Sequence, residues 1–168
     1  TNATQILGVE SLLIYLGGTA MNNKGPPLLD QQLCFALYST SLAMTKVYKP
    51  LLDKLGVTYP QYLALLVLWE HETLSVKKMG ELLYLDSGTL TPMLKRMQDQ
   101  ELVIRERSHE DERVVFISLT EKGKKLRDKA CHIPEEVFSM TNKSQGELEK
   151  LKETLQELLQ SLHTYNQK

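Results

Sequence analysis

The stretch QLCFALYSTSLAMTKVY, residues 32–48, places one cysteine near two tyrosines at helical spacing. Tyr38 follows Cys34 by one helical turn, and Tyr48 would lie about 40° from the same face at roughly 100° per residue. Phenolic hydroxyls can donate hydrogen bonds to a thiolate, and a helix N-terminus stabilises an anion. The spacing therefore fits a nucleophilic thiol, although it also fits a cysteine that fills an apolar core.

The cysteine count and the apolar patterning indicate the compartment. Cys34 and Cys131 are the two cysteines of the 168-residue chain, too few for a disulfide framework. We recognise no signal peptide and no apolar run of about 18 residues, so we expect a reducing, cytoplasmic setting and no membrane partner. Cys131 and His132 lack further ligands at metal spacing, and we expect neither a metal nor a cofactor.

The elements that would hold Cys34 are predicted from caps and breakers. Asp30 is a candidate N-cap for a helix that reaches about Lys49. Pro50 then marks a break or kink, and the piece LLDKLG would form a second short helix that ends at Gly56.

A buried helix and a helix-turn-helix follow. Thr58 and Gln61 form a capping box before LALLVLW, which is hydrophobic on nearly every side. Ser75 caps a short helix, and a second helix spans about residues 87–100 after Asp86. The β-branched runs ELVIRER and RVVFISL flank the polar tip SHEDE, which is typical of a hairpin. This order indicates a winged helix-turn-helix over about residues 58–120.

The second helix and the hairpin carry residue types that contact DNA. Hydroxyls at the helix N-terminus can meet phosphates and base edges, and cations further along can bind phosphates or guanine. An arginine at the hairpin tip can enter the minor groove, and Asp111 would hold the Arg113 guanidinium in place. The alternative is an ordinary amphipathic helix beside a solvated charged hairpin. The candidate DNA-binding residues are Ser87, Thr89, Thr91, Lys95, Arg96, Arg105, Arg107, Asp111 and Arg113.

The charge distribution agrees with this placement. The formal net charge of −1 argues against a uniformly basic nucleic-acid binder. Residues 77–129, however, carry 12 Lys/Arg against 10 Asp/Glu, a net of +2, while the rest of the chain carries −3. The basic bias is weak, but it lies in the segment that holds the DNA-binding candidates.

The C-terminal part predicts a helix with a narrow apolar seam. Ser144 and Glu147 form a second capping box. Leucines follow at spacings of 3, 4, 3 and 4 residues, and they could pack on their own domain or on a partner chain. We expect dimerisation helices at about residues 28–57 and 121–165 within one domain over residues 21–168, and a non-native or disordered extension at residues 1–20. The seam consists of Leu148, Leu151, Leu155, Leu158 and Leu162.

The central segment resembles the MarR family of winged-helix transcription regulators. The resemblance is carried by KKMGELLYLDSGTLTPMLKRM and RERSHEDERVVFISLTEKGKKL, and it covers roughly residues 28–163. It implies a mostly α-helical fold with a small β-hairpin wing and N- and C-terminal dimerisation helices. It also implies a homodimer that binds a near-palindromic operator and represses transcription.

The N-terminal stretches LCFALY, KVYKPLLDKLG and VTYPQYLALLVLWE resemble the organic-hydroperoxide-sensing repressors of that family. The resemblance implies that Cys34 is the redox-sensing residue and that Tyr38, Tyr48 and Tyr59 contact its thiol. Oxidation of Cys34 by an organic hydroperoxide, followed by condensation with a low-molecular-weight thiol, would release the operator. Some relatives carry a second cysteine several residues beyond Cys131, so Cys131 is a possible second thiol but is expected to be incidental.

Two other functions compete with a redox-controlled repressor. A MarR-type regulator could instead release DNA when a small phenolic or aromatic ligand binds between the tyrosines. A thiol peroxidase would need a positioned cation beside the cysteine, and no Arg or Lys stands in a motif near Cys34. We therefore expect a DNA-binding protein rather than an enzyme.

Overall fold

The computed structural model describes residues 28–166, so the extension expected at residues 1–20 lies outside the described residues. The chain divides into two units, whose boundary lies between Lys46 and Val47. A 3₁₀ turn at Leu29–Gln31 precedes the first helix, and three short strands form one sheet. The helices are α1 (Leu33–Asp53), α2 (Tyr59–His71), α3 (Val76–Leu83), α4 (Ser87–Asp99), α5 (Glu121–Ala130), α6 (Ile133–Ser139) and α7 (Gln145–Asn166).

The start and the end of α1 differ from the sequence prediction. Asp30 lies inside the 3₁₀ turn rather than at the N-cap, and α1 begins at Leu33 after the extended residue Gln32. Pro50 does not end the helix, which continues to Asp53. Leu51 and Leu52 are buried directly after the proline, and their packing offsets the backbone hydrogen bond that proline removes. LLDKLG is therefore no separate helix, and the chain turns at Gly56, whose φ is +71°.

The sheet holds one strand that the sequence did not reveal. Strand β1 (Thr73–Ser75) pairs antiparallel with β3 (Val115–Leu119), which pairs on its other edge with β2 (Val103–Arg107). The strand order is β1–β3–β2, with Leu74 opposite Ile117 and Arg105 opposite the same residue. Three residues give too short a pattern for period-two alternation, which explains why β1 escaped prediction.

The core of the second unit lies between α2, α3, α4 and the sheet. Two helices match their predicted caps, because the Ser75 hydroxyl accepts from the Lys78 backbone N–H and the Asp86 carboxylate accepts from that of Thr89. The largest fully buried side chains are Leu52, Leu65, Leu68, Met79, Leu90, Leu94, Met97, Val103 and Ile117. This core holds the helix-turn-helix and the hairpin as one winged helix, which confirms the predicted fold class.

Helix α7 differs from every helix of that core. None of residues 145–165 is buried, and the apolar seam keeps much of its area in solvent, with Leu151 at 51 % and Leu162 at 52 % exposure. Among residues 28–166, no helix is long and apolar enough to span a bilayer.

Candidate nucleic-acid interface and thiol site

Helix α4 presents a hydroxyl-bearing N-terminus because its opposite face is buried. Leu90, Met93, Leu94 and Met97 anchor the helix in the core. At its N-terminus, the Asp86 carboxylate accepts from the backbone N–H of Thr89 at 2.9 Å and from the Thr89 hydroxyl at 3.0 Å. These two hydrogen bonds lower the pKa of Asp86, the backbone one most. The Thr89 hydroxyl proton therefore serves the cap, and only the oxygen lone pairs stay available to another partner.

The turn before α4 requires a glycine in α3. A Cβ at Gly80 would lie 2.8 Å from the Leu85 carbonyl oxygen, closer than side-chain carbons approach backbone. The same close approach lets the Leu85 N–H donate to the Gly80 carbonyl at 3.0 Å, and Tyr84 adopts a left-handed φ of 55°. The tight turn fixes the direction in which α4 leaves α3.

The hairpin tip is ordered by two side chains, one of which acts differently from the prediction. The Ser108 hydroxyl accepts from the backbone N–H of Glu110, and the Asp111 carboxylate accepts from the backbone N–H of Arg113 at 3.0 Å. Among the described residues no ion pair joins Asp111 to the Arg113 guanidinium, so the predicted guanidinium contact is wrong. A carboxylate two residues before an N–H closes a local turn at lower entropic cost than it orders a long side chain.

A groove of about 1010 Å³ lies between the helix-turn-helix and the wing. It collects four of the predicted residues, Ser87, Thr91, Arg105 and Arg113, of which only Arg105 is half-buried. The Arg105 Nε is shielded and has no hydrogen-bond partner within the described chain. The other five predicted residues do not line the groove and are exposed: Thr89, Lys95, Arg96, Arg107 and Asp111.

His163 also lines this groove, which the sequence did not predict. Its ring lies 4.7 Å from the ring of Tyr84, centroid to centroid, so the end of α7 contacts the turn between α3 and α4. No sequence signal could have shown this, because a histidine near the end of an amphipathic helix most often faces solvent.

Cys34 and Tyr38 belong to the first unit. Cys34 is the second residue of α1, so it stands in the first turn of the helix. Its side chain is exposed, and Tyr38, one turn later, is 61 % exposed. Free backbone N–H groups in the first turn of a helix favour a nearby anion.

Tyr48 and Tyr59 belong to the second unit and lie against each other, with ring centroids 4.9 Å apart. The rings of Tyr62 and Trp69 continue the row, at 6.1 Å from Tyr48 to Tyr62 and 6.3 Å from Tyr62 to Trp69. Burial raises the pKa of Tyr48 and of Tyr59 above the ordinary value of a phenol. A phenol is already protonated at neutral pH, so both hydroxyls are hydrogen-bond donors there. Tyr62 was not predicted as a site residue because it stands in an apolar run, which is typical of a core helix.

Cys131 is a free, exposed thiol at the end of α5. Its S–H donates to the Asp128 carbonyl oxygen at 3.0 Å, a local bond within its own turn. Within residues 28–166, no group of three or more His, Cys, Asp or Glu side chains is arranged to hold a metal ion.

The fold and the groove define a class, the winged-helix transcription regulators, and comparison with known proteins narrows it. Residues 46–130 match the family model described as transcriptional regulator SarA/Rot. The chain is 63 % identical over 138 residues, 82 % of its length and 94 % of the relative, to the organic hydroperoxide resistance transcriptional regulator of Bacillus subtilis (strain 168). The chain therefore belongs to the winged-helix transcription regulators of the MarR and SarA/Rot type, in the group of the organic hydroperoxide resistance regulators.

Two solved structures of AbfR, a protein of Staphylococcus epidermidis, are also similar. Reduced AbfR bound to DNA superposes with a TM-score of 0.71 at 37 % identity, over 81 % of this chain and 93 % of the other. The disulfide form of AbfR gives a TM-score of 0.57 at 31 % identity, over 96 % and 99 % of the two chains.

Proposed function

We propose that this protein is a DNA-binding transcription repressor that senses organic hydroperoxides by oxidation of Cys34 and then releases its operator. The observation that carries the proposal is the position of Cys34, exposed in the first turn of α1, in a chain 63 % identical to an organic hydroperoxide resistance regulator. The DNA-bound reduced form and the disulfide form of AbfR support a redox-controlled contact with DNA.

The chemistry at Cys34 is a two-electron oxidation. The thiolate attacks one oxygen of the peroxide, an S–O bond forms, and the O–O bond breaks. The attacked oxygen stays on the sulfur, which becomes a sulfenic acid. The other oxygen leaves with the organic group as an alkoxide and takes up a proton to become an alcohol. A low-molecular-weight thiol then condenses with the sulfenic acid, and water leaves as the mixed disulfide forms. Cys131, bound within its own turn, is not required for these steps.

The tyrosines act as hydrogen-bond donors to the sulfur. Tyr38 shares the face of α1 that carries Cys34. Tyr48 and Tyr59 form a packed pair of neutral phenols, which can donate hydrogen bonds without adding charge. A larger, oxidised sulfur would displace these donors, and displacement of packed side chains is how a local change reaches a distant element.

The operator is bound by α4 and the wing. At the N-terminus of α4, backbone N–H groups can bind phosphates. The side chains of Ser87, Thr89 and Thr91 contact DNA there, Thr89 through its oxygen. Arg113 is exposed on a wing tip ordered by Asp111 and suits the minor groove. The cationic side chains Lys95, Arg96, Arg105 and Arg107 complete the interface through phosphate contacts.

A homodimer would place two such interfaces on a near-palindromic operator. Helix α1 exposes Leu33, Phe35 and Leu42, and α7 exposes the leucine seam, so both helices carry apolar area that a second copy can cover. A regulator of this kind acts where the chromosome is, in the cytoplasm, and it is not an enzyme.

The test compares two cysteine variants on a DNA fragment that the reduced protein binds. We expect cumene hydroperoxide to weaken binding by the parent and by Cys131→Ser by about 5–150-fold, the usual range of coupling between sites. Cys34→Ser should bind DNA as tightly as the reduced parent and ignore the peroxide. Fluorescence anisotropy measures both.

Two outcomes would contradict the proposal. A Cys34→Ser variant that releases DNA like the parent would favour gating by a bound phenolic or aromatic ligand. Repeated turnover of peroxide with dithiothreitol would favour a thiol peroxidase.

A further inference from the structure

Gln61 is the one polar residue buried in the part of the chain that the structure describes, with 4 % exposure. Burying an amide without hydrogen-bond partners costs free energy, so each polar atom of Gln61 is expected to have a partner. Its Oε1 accepts from the backbone N–H of Thr58 at 2.9 Å and from the Thr58 hydroxyl at 3.2 Å. These bonds complete the capping box of α2, but they use only the oxygen of the amide.

The nitrogen of the same amide takes no part in the capping box and instead contacts the end of α4, the helix proposed to face DNA. Gln61 Nε2 donates to Gln100 Oε1 at 3.0 Å, across 39 residues of sequence. Gln100 is the C-cap of α4, and its own backbone N–H donates to the Arg96 carbonyl at 2.9 Å. The Gln61–Gln100 bridge therefore joins the first turn of α2 directly to the last turn of α4.

Two backbone groups fix the direction of the bridge. At one end, the Thr58 N–H requires the oxygen of Gln61, which turns Nε2 toward Gln100. At the other end, Gln100 Nε2 donates to the Gly56 carbonyl at 3.2 Å, which turns Oε1 toward Gln61. Neither amide can rotate by half a turn without placing like groups against each other, so the bridge has a single register.

Gln100 also binds the helix that follows the wing. Lys122, in the first turn of α5, donates to the Gln100 carbonyl at 2.8 Å. The last turn of α4 is thereby connected to the loop after α1, to α2 and to α5 through one residue. Apolar packing tolerates small slides, whereas a hydrogen bond weakens steeply with distance and angle.

The other end of the bridge lies beside the tyrosine pair. Tyr59 is the first residue of α2, in the turn that Thr58 and Gln61 cap, and its ring packs on Tyr48. Tyr59 and the Gln61 amide therefore belong to one hydrogen-bonded turn.

We propose that the Gln61–Gln100 bridge is the positioning element that transmits displacement of Tyr59 to the DNA-facing helix. This inference rests on the proposed function, because it assigns the coupling between the thiol site and the operator interface. Gln61 and Gln100 touch neither the peroxide nor DNA in this assignment. They make α4 follow the start of α2, so that an oxidised protein cannot keep its operator contacts.

The test uses full-length variants and the DNA fragment bound by the reduced parent. Gln61→Glu keeps the cap, because a carboxylate still accepts from Thr58, but it removes the Nε2 donor. Gln100→Ala removes the bridge from its exposed end, where folding is least at risk. Gln100→Glu keeps an acceptor for Gln61 but loses the hydrogen bond to the Gly56 carbonyl. Gln145→Ala is the matched control, since it removes a side-chain hydrogen bond from the Gln145 amide to Glu149 within a single helix.

The measured quantity is the ratio of operator Kd after and before cumene hydroperoxide, with Cys34 oxidation followed by mass spectrometry. We expect Gln61→Glu, Gln100→Ala and their double variant to be oxidised at the parent rate. In each of them the ratio of Kd after and before peroxide should be about 3–10-fold smaller than in the parent, and the double variant should show no larger effect than the single ones. Gln145→Ala should keep the parent ratio, and the ratio of Gln100→Glu should fall between those of the parent and Gln100→Ala.

Three results would overturn the inference. The bridge variants could keep the parent ratio, or they could lose reduced-state and oxidised-state affinity equally, which would indicate static support of α4 alone. A parent that oxidises at Cys34 and still holds DNA would refute the proposed function, and the inference would fall with it. That last result is recognised in the parent before any variant is compared.

Discussion

Two helices of this protein begin with the same local device and serve different purposes. In α2 the Thr58 N–H donates to the Gln61 side chain at 2.9 Å, and in α7 the Ser144 N–H donates to the Glu147 side chain at 2.9 Å. The first capping box is closed by the buried amide of Gln61, which also donates a hydrogen bond to Gln100. The second is closed by an exposed carboxylate whose further partner is Lys143, at 3.2 Å.

The comparison shows that a cap fixes where a helix begins but not what the helix is used for. Helix α2 buries Ala64, Leu65 and Leu68 completely, and Trp69 Nε1 donates to the Gly123 carbonyl at 3.0 Å. Helix α7 buries none of residues 145–165. A rigid, buried helix can transmit a displacement, whereas an amphipathic helix with an open seam is suited to a partner surface.

The largest expected difference between the two helices lies in their leucines. Leu68→Ala should lower the free energy of unfolding by about 2–5 kcal/mol, because it leaves a cavity in a fully buried site. Leu155, 38 % exposed, is the matched position in α7. Urea unfolding at two protein concentrations measures both effects.

We expect the loss in Leu68→Ala to be the same at both concentrations. Leu155→Ala should lower stability mainly at the lower concentration, where dimers dissociate. A concentration-independent loss of similar size in both variants would show that α7 packs within its own chain, and the comparison would fail.

An intermediate effect is expected at the buried capping box. Gln61→Ala should cost roughly 1–3 kcal/mol, because the Thr58 N–H and the Gln100 amide lose a buried partner. Gln145→Ala in α7 should change the denaturation midpoint far less. Equal stability of Gln61→Ala and Gln145→Ala would show that burial of the first capping box adds no stability.

The smallest effect concerns the exposed box and depends on pH. Hydrogen bonds from the Ser144 backbone and hydroxyl, with Lys143, lower the pKa of Glu147 from 4.5 to about 2. Because this pKa is depressed on folding, the stabilisation is complete above pH 4.5 and is lost as pH falls from 4.5 toward about 2. Glu147→Gln should therefore be slightly less stable than the parent at pH 7, and the difference should shrink through this window.

Thermal unfolding followed by circular dichroism measures this difference, with Glu153→Gln on the same helix as the control. A difference between Glu147→Gln and the parent that stayed constant between pH 7 and pH 3 would rule out the cap as its source.

The sequence predicted those parts of the fold that depend on neighbouring residues. The caps at Ser75 and Asp86 and the hairpin are confirmed, because a short polar side chain before an apolar run acts within one turn. The expected cap at Asp30 and break at Pro50 were wrong, because the extended backbone at Gln32 starts the helix later and the burial of Leu52 carries it past the proline. Local rules fail where packing adds a larger free energy.

The candidate site was predictable to the same extent. Ser87, Thr91, Arg105 and Arg113 line one groove, as a helix followed by a wing suggests. Asp111 binds backbone instead of the Arg113 guanidinium, and His163 joins the groove from a helix 50 residues further along the chain than Arg113. Neither contact leaves a local signature, since each depends on how the chain closes in space.

By itself, the sequence determined the winged-helix class, the order of its elements and the thiol at the start of α1, because residue type and short-range spacing encode caps, faces and strands. Only the tertiary structure decided that one of two similar capping boxes would be buried and joined to Gln100, and that Tyr48 would pack on Tyr59. Contacts between residues far apart in sequence arise from the simultaneous packing of several elements, and no single segment contains the information that selects them.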